Sequence, residues 1–301
     1  MDDKWKELKP FLSKRIVGQK VALDVISKVV LRAELGLKRI KKPKAGILLL
    51  GPTGVGKTEI TLSLADFIYG ESERVKRFDM AELQQQTSLN WLLGSNRNEQ
   101  GILGDAIDAL NEKGGGILLF DEIEKAHPSL SSVFLAALDA GRISMSNGET
   151  KDLSDCYIFF TSNLGAKNAA QMLHSGDTTI QRCVEMAARN YFSPELFARL
   201  DEVVVFKRLG YDAQIEICKN ILKKELSYLN ELLGKELIVS DNVFNFLVKK
   251  GYTRDLGARI MKKSVEREIE NAIVEWKLNQ DTDKNRDTIN LIVENFKLKA
   301  V

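Results

Sequence analysis

The stretch Gly51-Pro52-Thr53-Gly54-Val55-Gly56-Lys57-Thr58 constrains this chain more than any other. It fits the phosphate-binding pattern G-x-x-x-x-G-K-T, with an apolar run before it at 46–50 and a helical pattern after it at 59–68, the context the motif requires. Its glycines let the backbone fold into a cup whose N–H groups point inward, and the helix that follows presents its positive end to the same place. Lys57 adds a point charge for the outer phosphates of a nucleotide such as ATP, and Thr58 offers a hydroxyl to Mg2+.

Through the first two thirds of the chain, short and nearly continuous apolar runs at 46–50, 75–80, 116–120, 157–161 and 203–206 alternate with helical patterns such as 129–138. Strands buried on both faces of a parallel sheet have this texture, so a doubly wound α/β domain is expected. After Leu209-Gly210 the texture changes. Ile215, Cys218, Leu222, Leu226, Leu229 and Leu233 keep one helical face apolar, with Asp212 as the expected N-cap. Helices near 242–249 and 256–278 follow, and the partial period-2 alternation of 288–298 predicts a strand. The expected division is 1–209 and 210–301, in keeping with a length of 301 residues at about 150 per domain.

The second half of a phosphate-transfer site comes from the run 116–120, which delivers Asp121 and Glu122 at its carboxyl end, where ligands bind in such sheets. Asp121 would hold Mg2+ through water, and Glu122 would orient and polarise the water that attacks the γ-phosphate. Composition removes the competitors. Two histidines leave little for histidine-based metal or acid–base chemistry, and the three cysteines, Cys156, Cys183 and Cys218, have no C-x-x-C spacing and read as reduced core thiols. With 44 basic against 42 acidic residues, no general field draws the molecule onto nucleic acid or an anionic membrane. The charged start and the lack of any long apolar run argue against a signal or a membrane span, and a cytoplasmic protein is expected. The basic run 38–44 reads as a solvated connector.

Taken with these, further motifs make the chain resemble the Clp-type AAA+ ATPases, specifically the second ATPase module of the disaggregases and peptidase-feeding unfoldases. They are Arg15-Ile16-Val17-Gly18-Gln19, the extended motif Asp121-Glu122-Ile123-Glu124-Lys125-Ala126-His127-Pro128, Thr161-Ser162-Asn163-Leu164-Gly165, the stretch 192–202 and Gly257-Ala258-Arg259, all in the family order. The resemblance implies a P-loop AAA+ domain with a central parallel sheet and a smaller C-terminal α+β lid. By the same resemblance, Asn163 senses the γ-phosphate or attacking water, and Arg199 reaches the nucleotide of a neighbouring subunit. Arg259 contacts the phosphates from the lid, and Ile16 and Val17 pack on the adenine. An arginine acting in trans implies a homo-oligomeric ring or spiral, by resemblance of six subunits. The less favoured reading of Arg199 is a local ion pair with Asp201 or Glu202.

The chain departs from the family at several points. The Gly-aromatic-Val-Gly loop that grips substrate in polypeptide-threading relatives is missing, and the corresponding stretch 93–101 is shorter and has no aromatic residue. Trp91, in a pattern with Leu89, Leu92 and Leu93, reads as helix core. The peptidase-docking loop is also missing, no amino-terminal adaptor domain is expected, and Ser193 and Ala198 stand where relatives often carry Arg and Asn. The expected function is therefore an ATP-hydrolysing oligomer that remodels a protein partner or assembly, itself or through an adaptor, without aromatic-loop threading. Two alternatives remain at this stage. One is an ATP-gated assembly switch or scaffold; the other, less favoured, is a nucleic-acid motor using Arg97, Lys262, Lys263 and Arg267.

Overall fold

The protein is represented by a computed structural model that describes residues 3–37, 42–96, 99–172, 175–253, 256–278 and 287–301. Arg97, His174 and most of the basic run at 38–44 lie outside the described residues. The chain divides into two compact units, one of Met1–Pro52 and Gly56–Lys207, the other of Arg208–Val301 with Thr53–Val55.

The strands in chain order are β1 (Ala45–Leu50), β2 (Val75–Asp79), β3 (Gly116–Asp121), β4 (Arg142–Ser144), β5 (Thr150–Asp152), β6 (Cys156–Ser162), β7 (Glu202–Val205), β8 (Glu236–Val239), β9 (Thr288–Glu294) and β10 (Lys297–Ala300). In the first unit five of them form a parallel sheet in the order β2-β3-β6-β1-β7. Every residue of β1, β3 and β6 is buried, which is why these runs are continuously apolar rather than alternating. The strand order matters for the site. It sets the carboxyl ends of β3, β6 and β1 side by side although they are far apart in sequence, and it reverses direction at β1, where ligands of open α/β sheets bind.

Register at that end is held by phenylalanines. Phe78, Phe120 and Phe160 pair in register across β2, β3 and β6, with successive ring centroids 5.4 Å apart, and Phe134 packs edge-on to Phe120 and Phe160 at 5.0 and 5.3 Å. Aromatic pairs of this kind add roughly 0.5–1.5 kcal/mol each beyond burial. A slip by one residue would turn the whole row to the other face, so the row also fixes the residues that follow it, Asp79, Asp121 and Thr161. β4 and β5 form a separate antiparallel hairpin that the apolar pattern did not reveal, since β4 buries only Ile143 and β5 buries none of its three residues.

The second unit contains the helices Tyr211–Leu233, Asp241–Gly251 and Met261–Leu278 and a three-stranded sheet in the order β10-β9-β8. Cys218, Leu222, Val243, Leu247, Val265, Ile269, Ile289 and Leu291 are among its core residues. Several expectations change here. The predicted strand over 288–298 folds into the antiparallel pair β9 and β10, because Asn295 and Phe296 take φ of 50° and 60° and reverse the chain. Asp212 is not the N-cap: the helix begins at Tyr211 after Gly210, and Asp212 sits in its first turn. The third helix begins at Met261 rather than at 256.

Trp91 is also a correction. The helix Ser88–Leu93 buries Leu92, but Trp91 is 50% exposed, so it is not core. The helix buries Ser88 and Leu92, four residues apart on one face, and Trp91 falls off that face. Cys156 and Cys218 are buried free thiols, with burial raising them to about 12 and about 11, whereas Cys183 is only half-buried. Among the described residues, no helix is long and apolar enough to cross a membrane.

Candidate active site

The loop after β1 is shaped by its glycines. Gly51 has φ of 138°, and a side chain there would run into the Phe206 carbonyl. Gly56, with φ of 106°, is the residue from which the helix Lys57–Tyr69 starts. Ile16 Cγ2 lies 3.5 Å from where a Cβ on Gly56 would stand. Ile16 is therefore buried beside the loop, and it and its neighbour Val17 are 3% and 7% exposed, which is compatible with an apolar wall for a base. Gln19 of the same motif is buried and clamps the end of the sheet: its Nε2 donates to Lys207 O at 2.9 Å, and its Oε1 accepts from Lys207 N at 3.0 Å.

Lys57 is 8% exposed. Its Nζ donates to Gly51 O, to Pro52 O at 2.8 Å and to Asn163 Oδ1 at 2.8 Å. Burial pushes the ammonium down to about 8, against the upward pull of Glu124, Asp121 and Glu122. A cation held in a desolvated site, among acceptors and carboxylates, is a strong anchor for an anion that can replace those acceptors.

Asn163 comes to this position because β6 lies next to β1, with Leu50 opposite Ser162. Its amide spans two functional groups, accepting from Lys57 and donating through Nδ2 to Glu122 Oε1 at 3.1 Å. Its backbone N–H donates to Glu124 Oε1 at 3.0 Å. Glu122 itself has φ of 56° and ψ of 51°, a left-handed conformation uncommon for a glutamate and frequent where strained geometry serves a site.

What holds that turn is Thr161, fully buried at 1% exposure. Its Oγ1 accepts the Glu122 N–H at 3.0 Å and donates its own proton to Asp121 Oδ1. The other carboxylate oxygen, Asp121 Oδ2, is 2.6 Å from Arg77 Nη2. Thr58 lies in the first turn of the helix after the loop. Among the described residues, no three His, Cys, Asp or Glu side chains converge as a cage. A divalent ion here would draw most of its oxygen ligands from phosphate and water, the usual way Mg2+ is held, with Thr58 as the protein's direct share and Asp121 holding it through a bound water.

The structure thus brings together Lys57, Asp121, Glu122 and Asn163, along with the backbone of Gly51 and Pro52. Arg199 belongs to a different set of contacts. It ends the helix Pro194–Arg199, whose N-cap is Ser193, accepting from Leu196 N at 3.3 Å, so the family-divergent serine has a local structural task. Arg199 Nη1 donates to Glu195 O at 3.1 Å, and its Nε lies 3.6 Å from Asp139. The expected alternative partners are engaged elsewhere: Asp201 accepts the Gly46 N–H at 2.7 Å, and Glu202 pairs with Arg32 at 3.1 Å. Arg259 lies in the second unit, exposed, in the turn before the helix Met261–Leu278.

Sequence reasoning gave no role to Arg77, Thr161, Gln19 or Glu124. Thr161 and Ser162 carried a usable signal, two hydroxyls ending an otherwise apolar buried strand. Arg77 carried none, since its partner Asp121 is reached only through the pairing of β2 with β3.

Comparison with known proteins agrees with this geometry. Residues 42–203 match the model of the AAA domain (Cdc48 subfamily), and residues 210–291 match that of the C-terminal, D2-small domain of ClpB protein. Chaperone protein ClpB 1 of Nostoc sp. is 34% identical over 292 residues, covering 94% of this chain and 32% of that protein. Heat shock protein 100 of Trypanosoma brucei brucei is 34% identical over 267 residues, covering 86% and 30%. A solved structure of Hsp104 with ATPγS and FITC casein, in its closed state, superposes with a TM-score of 0.86 at 30% identity, covering 100% of this chain and 52% of that one. The chain spans about a third of the length of the curated relatives it matches. With a phosphate-binding loop, an Asp-Glu strand end and an Asn-tipped neighbouring strand on one sheet, followed by a small ClpB-type domain, the chain belongs to the AAA domain family (Cdc48 subfamily) and is of the Clp type.

Proposed function

We propose that this chain is an ATPase module, with Mg2+ as cofactor, that works in a homo-oligomer to remodel a protein partner or assembly. The observation that carries the reading is the continuous set of hydrogen bonds Lys57–Asn163–Glu122, adjacent to Asp121 and Thr161 at the carboxyl ends of β1, β6 and β3. A γ-phosphate in the loop would take over Lys57 from its carbonyl acceptors, and Asn163 would then report on that phosphate. Freed from Asn163, Glu122 would accept a proton from the attacking water. Mg2+, when bound, would neutralise charge on the phosphate oxygens. Gly51, Pro52, Thr53, Gly54, Val55 and Gly56 would line the phosphate cup, with Ile16 and Val17 on the adenine side.

Arg199 would act on a neighbour's nucleotide, since a guanidinium suits the charge developing on the transferred phosphoryl group. Arg259 would read the phosphates from the second unit of its own chain. Partner specificity would come from the polar stretch 95–100 or from a companion protein, and the setting would be cytoplasmic. A nucleic-acid role gains no support, because Lys262 pairs with Glu266 at 3.6 Å and Arg267 with Glu268 at 3.8 Å.

The test is light-scattering mass together with ATPase rate for wild type, Lys57→Ala and Glu122→Gln, with no nucleotide, ADP or ATP. Wild type should assemble with ATP and hydrolyse it. Lys57→Ala should fail to bind, and Glu122→Gln should bind ATP and stay assembled without turnover. Normal turnover in Glu122→Gln would remove the role given to that carboxylate.

A further inference from the structure

Asp121 is held by two partners of very different character. Oδ1 accepts from Thr161, a buried hydroxyl that also carries the Glu122 N–H, so that side is committed to the turn. Oδ2 meets Arg77 at 2.6 Å, and the Arg77 side chain is 45% exposed against 10% for Asp121. Arg77 sits on β2 two residues before Asp79, so both side chains stand on one face of the strand, and Asp79 is directly opposite Asp121 in the register. The same Arg77 Nη2 is 3.9 Å from Asp79 Oδ2, while the other Asp79 oxygen accepts the Ala81 N–H at 2.9 Å. One half-exposed guanidinium therefore lies between two carboxylates, close to one and within a short swing of the other.

We propose that Arg77 is a positioning residue that competes with the divalent cation for Asp121 Oδ2, moving to Asp79 when a metal-bound water takes that oxygen. This rests on the nucleotide reading above. Oδ2 is the oxygen of Asp121 that the Thr161 hydroxyl does not hold, and so the one a hydrated ion can take by displacing Arg77 alone. The guanidinium presently holding it is the exposed, exchangeable partner. Its positive charge opposes a divalent cation bound nearby, and Asp79 offers a second seat that lowers the barrier to exchange. Arg77 thereby keeps Asp121 oriented while limiting how tightly the ion is held, which suits a site that must release its ion with product.

The test uses the full chain carrying stoichiometric ADP, with Mn2+ as the probe and free Mn2+ read by electron paramagnetic resonance. ADP affinity is measured first in EDTA. Arg77→Gln should tighten Mn2+ binding by about three- to tenfold, the size expected for removing a half-screened charge a few ångströms away. Arg77→Lys, which keeps the charge, should stay near wild type. Asp79→Asn should weaken Mn2+ binding in wild type and lose most of that effect when combined with Arg77→Gln, because it acts through the arginine.

Unchanged or weaker Mn2+ binding in Arg77→Gln, with ADP affinity intact, overturns the proposal, as does an undiminished Asp79→Asn effect in the double variant. A lowered melting temperature with no shift in Mn2+ affinity would mean a structural ion pair only and also overturns it. Failure of the nucleotide reading is a separate result, since wild type would then not bind ADP in EDTA at all.

Discussion

Replacing Thr161 by Val removes the hydroxyl that joins the two carboxylate residues while keeping nearly the same volume. The structure predicts two losses. The Asp121 carboxylate loses a charge-assisted hydrogen bond, worth about 1.5–3 kcal/mol, and the Glu122 N–H, bonded at 3.0 Å, is left without its acceptor at about 1–3 kcal/mol. The two share one hydroxyl and are not fully additive, so about 3 kcal/mol is expected for a residue only 1% exposed. Thr161→Ser is the control, keeping the hydroxyl and deleting one methyl at about 1 kcal/mol. Guanidinium unfolding followed by circular dichroism measures both, alongside ADP affinity and ATP turnover. Val should be the more destabilised by about 2 kcal/mol, with turnover reduced far more than affinity, because Lys57 and the loop are untouched while the Glu122 turn is loosened. If Val and Ser are equally stable and equally active, the hydroxyl does not organise the carboxylates and the account of the turn fails.

The Lys57 ammonium, lowered to about 8, should stay protonated to higher pH once phosphate oxygens surround it. Nucleotide affinity is then flat below pH 8 and falls by up to about tenfold per unit above it, with a proton taken up on binding; calorimetry in buffers of different ionisation heat reads this directly. In the free protein the same depression works against folding below pH 8, and that penalty is relieved as pH rises towards the ordinary lysine value, so this group alone makes stability rise through that window. Arg199→Ala should bind ATP normally but lose roughly 10²-fold or more in turnover if it acts on a neighbour. Activity of wild-type and mutant mixtures should then depart from linearity in the wild-type fraction, and a straight line would argue against shared sites. Trp91→Ala should lower stability by less than about 1.5 kcal/mol, because the ring is 50% exposed; a loss of 3 kcal/mol or more in thermal or denaturant unfolding would restore its reading as core.

Local features were legible because their physics is local. A glycine-rich turn between a strand and a helix makes a cup wherever it occurs, and Lys57, Thr58, Asp121 and Glu122 follow from position along two strand ends, whereas Asn163 is reached only through the family resemblance. Continuous apolar runs announced strands buried on both faces, and β1, β3 and β6 are buried throughout. What went unread turned on strand pairing, as at Arg77, on strands with little burial, as at β4 and β5, on single backbone dihedrals, or on which side of a short helix a residue falls. The reversal at Asn295 and Phe296 split one expected strand into two, and Trp91 lies on the outer side of a helix too short to show its period.

The sequence by itself determined the α/β class, the phosphate cup and the chemical types gathered at its rim, since each is encoded within a few neighbouring residues. Only the tertiary structure decided who partners whom. Thr161 bridges Asp121 and Glu122, Arg77 takes the other Asp121 oxygen, Asn163 links Lys57 to Glu122, and Arg199 pairs with Asp139 rather than with Asp201 or Glu202. Apart from the short step from Asp121 to Glu122, these contacts join residues tens of positions apart. Those at the strand ends exist because the sheet takes the order β2-β3-β6-β1-β7 and a row of phenylalanines holds its register, and neither condition is encoded in any one stretch of chain.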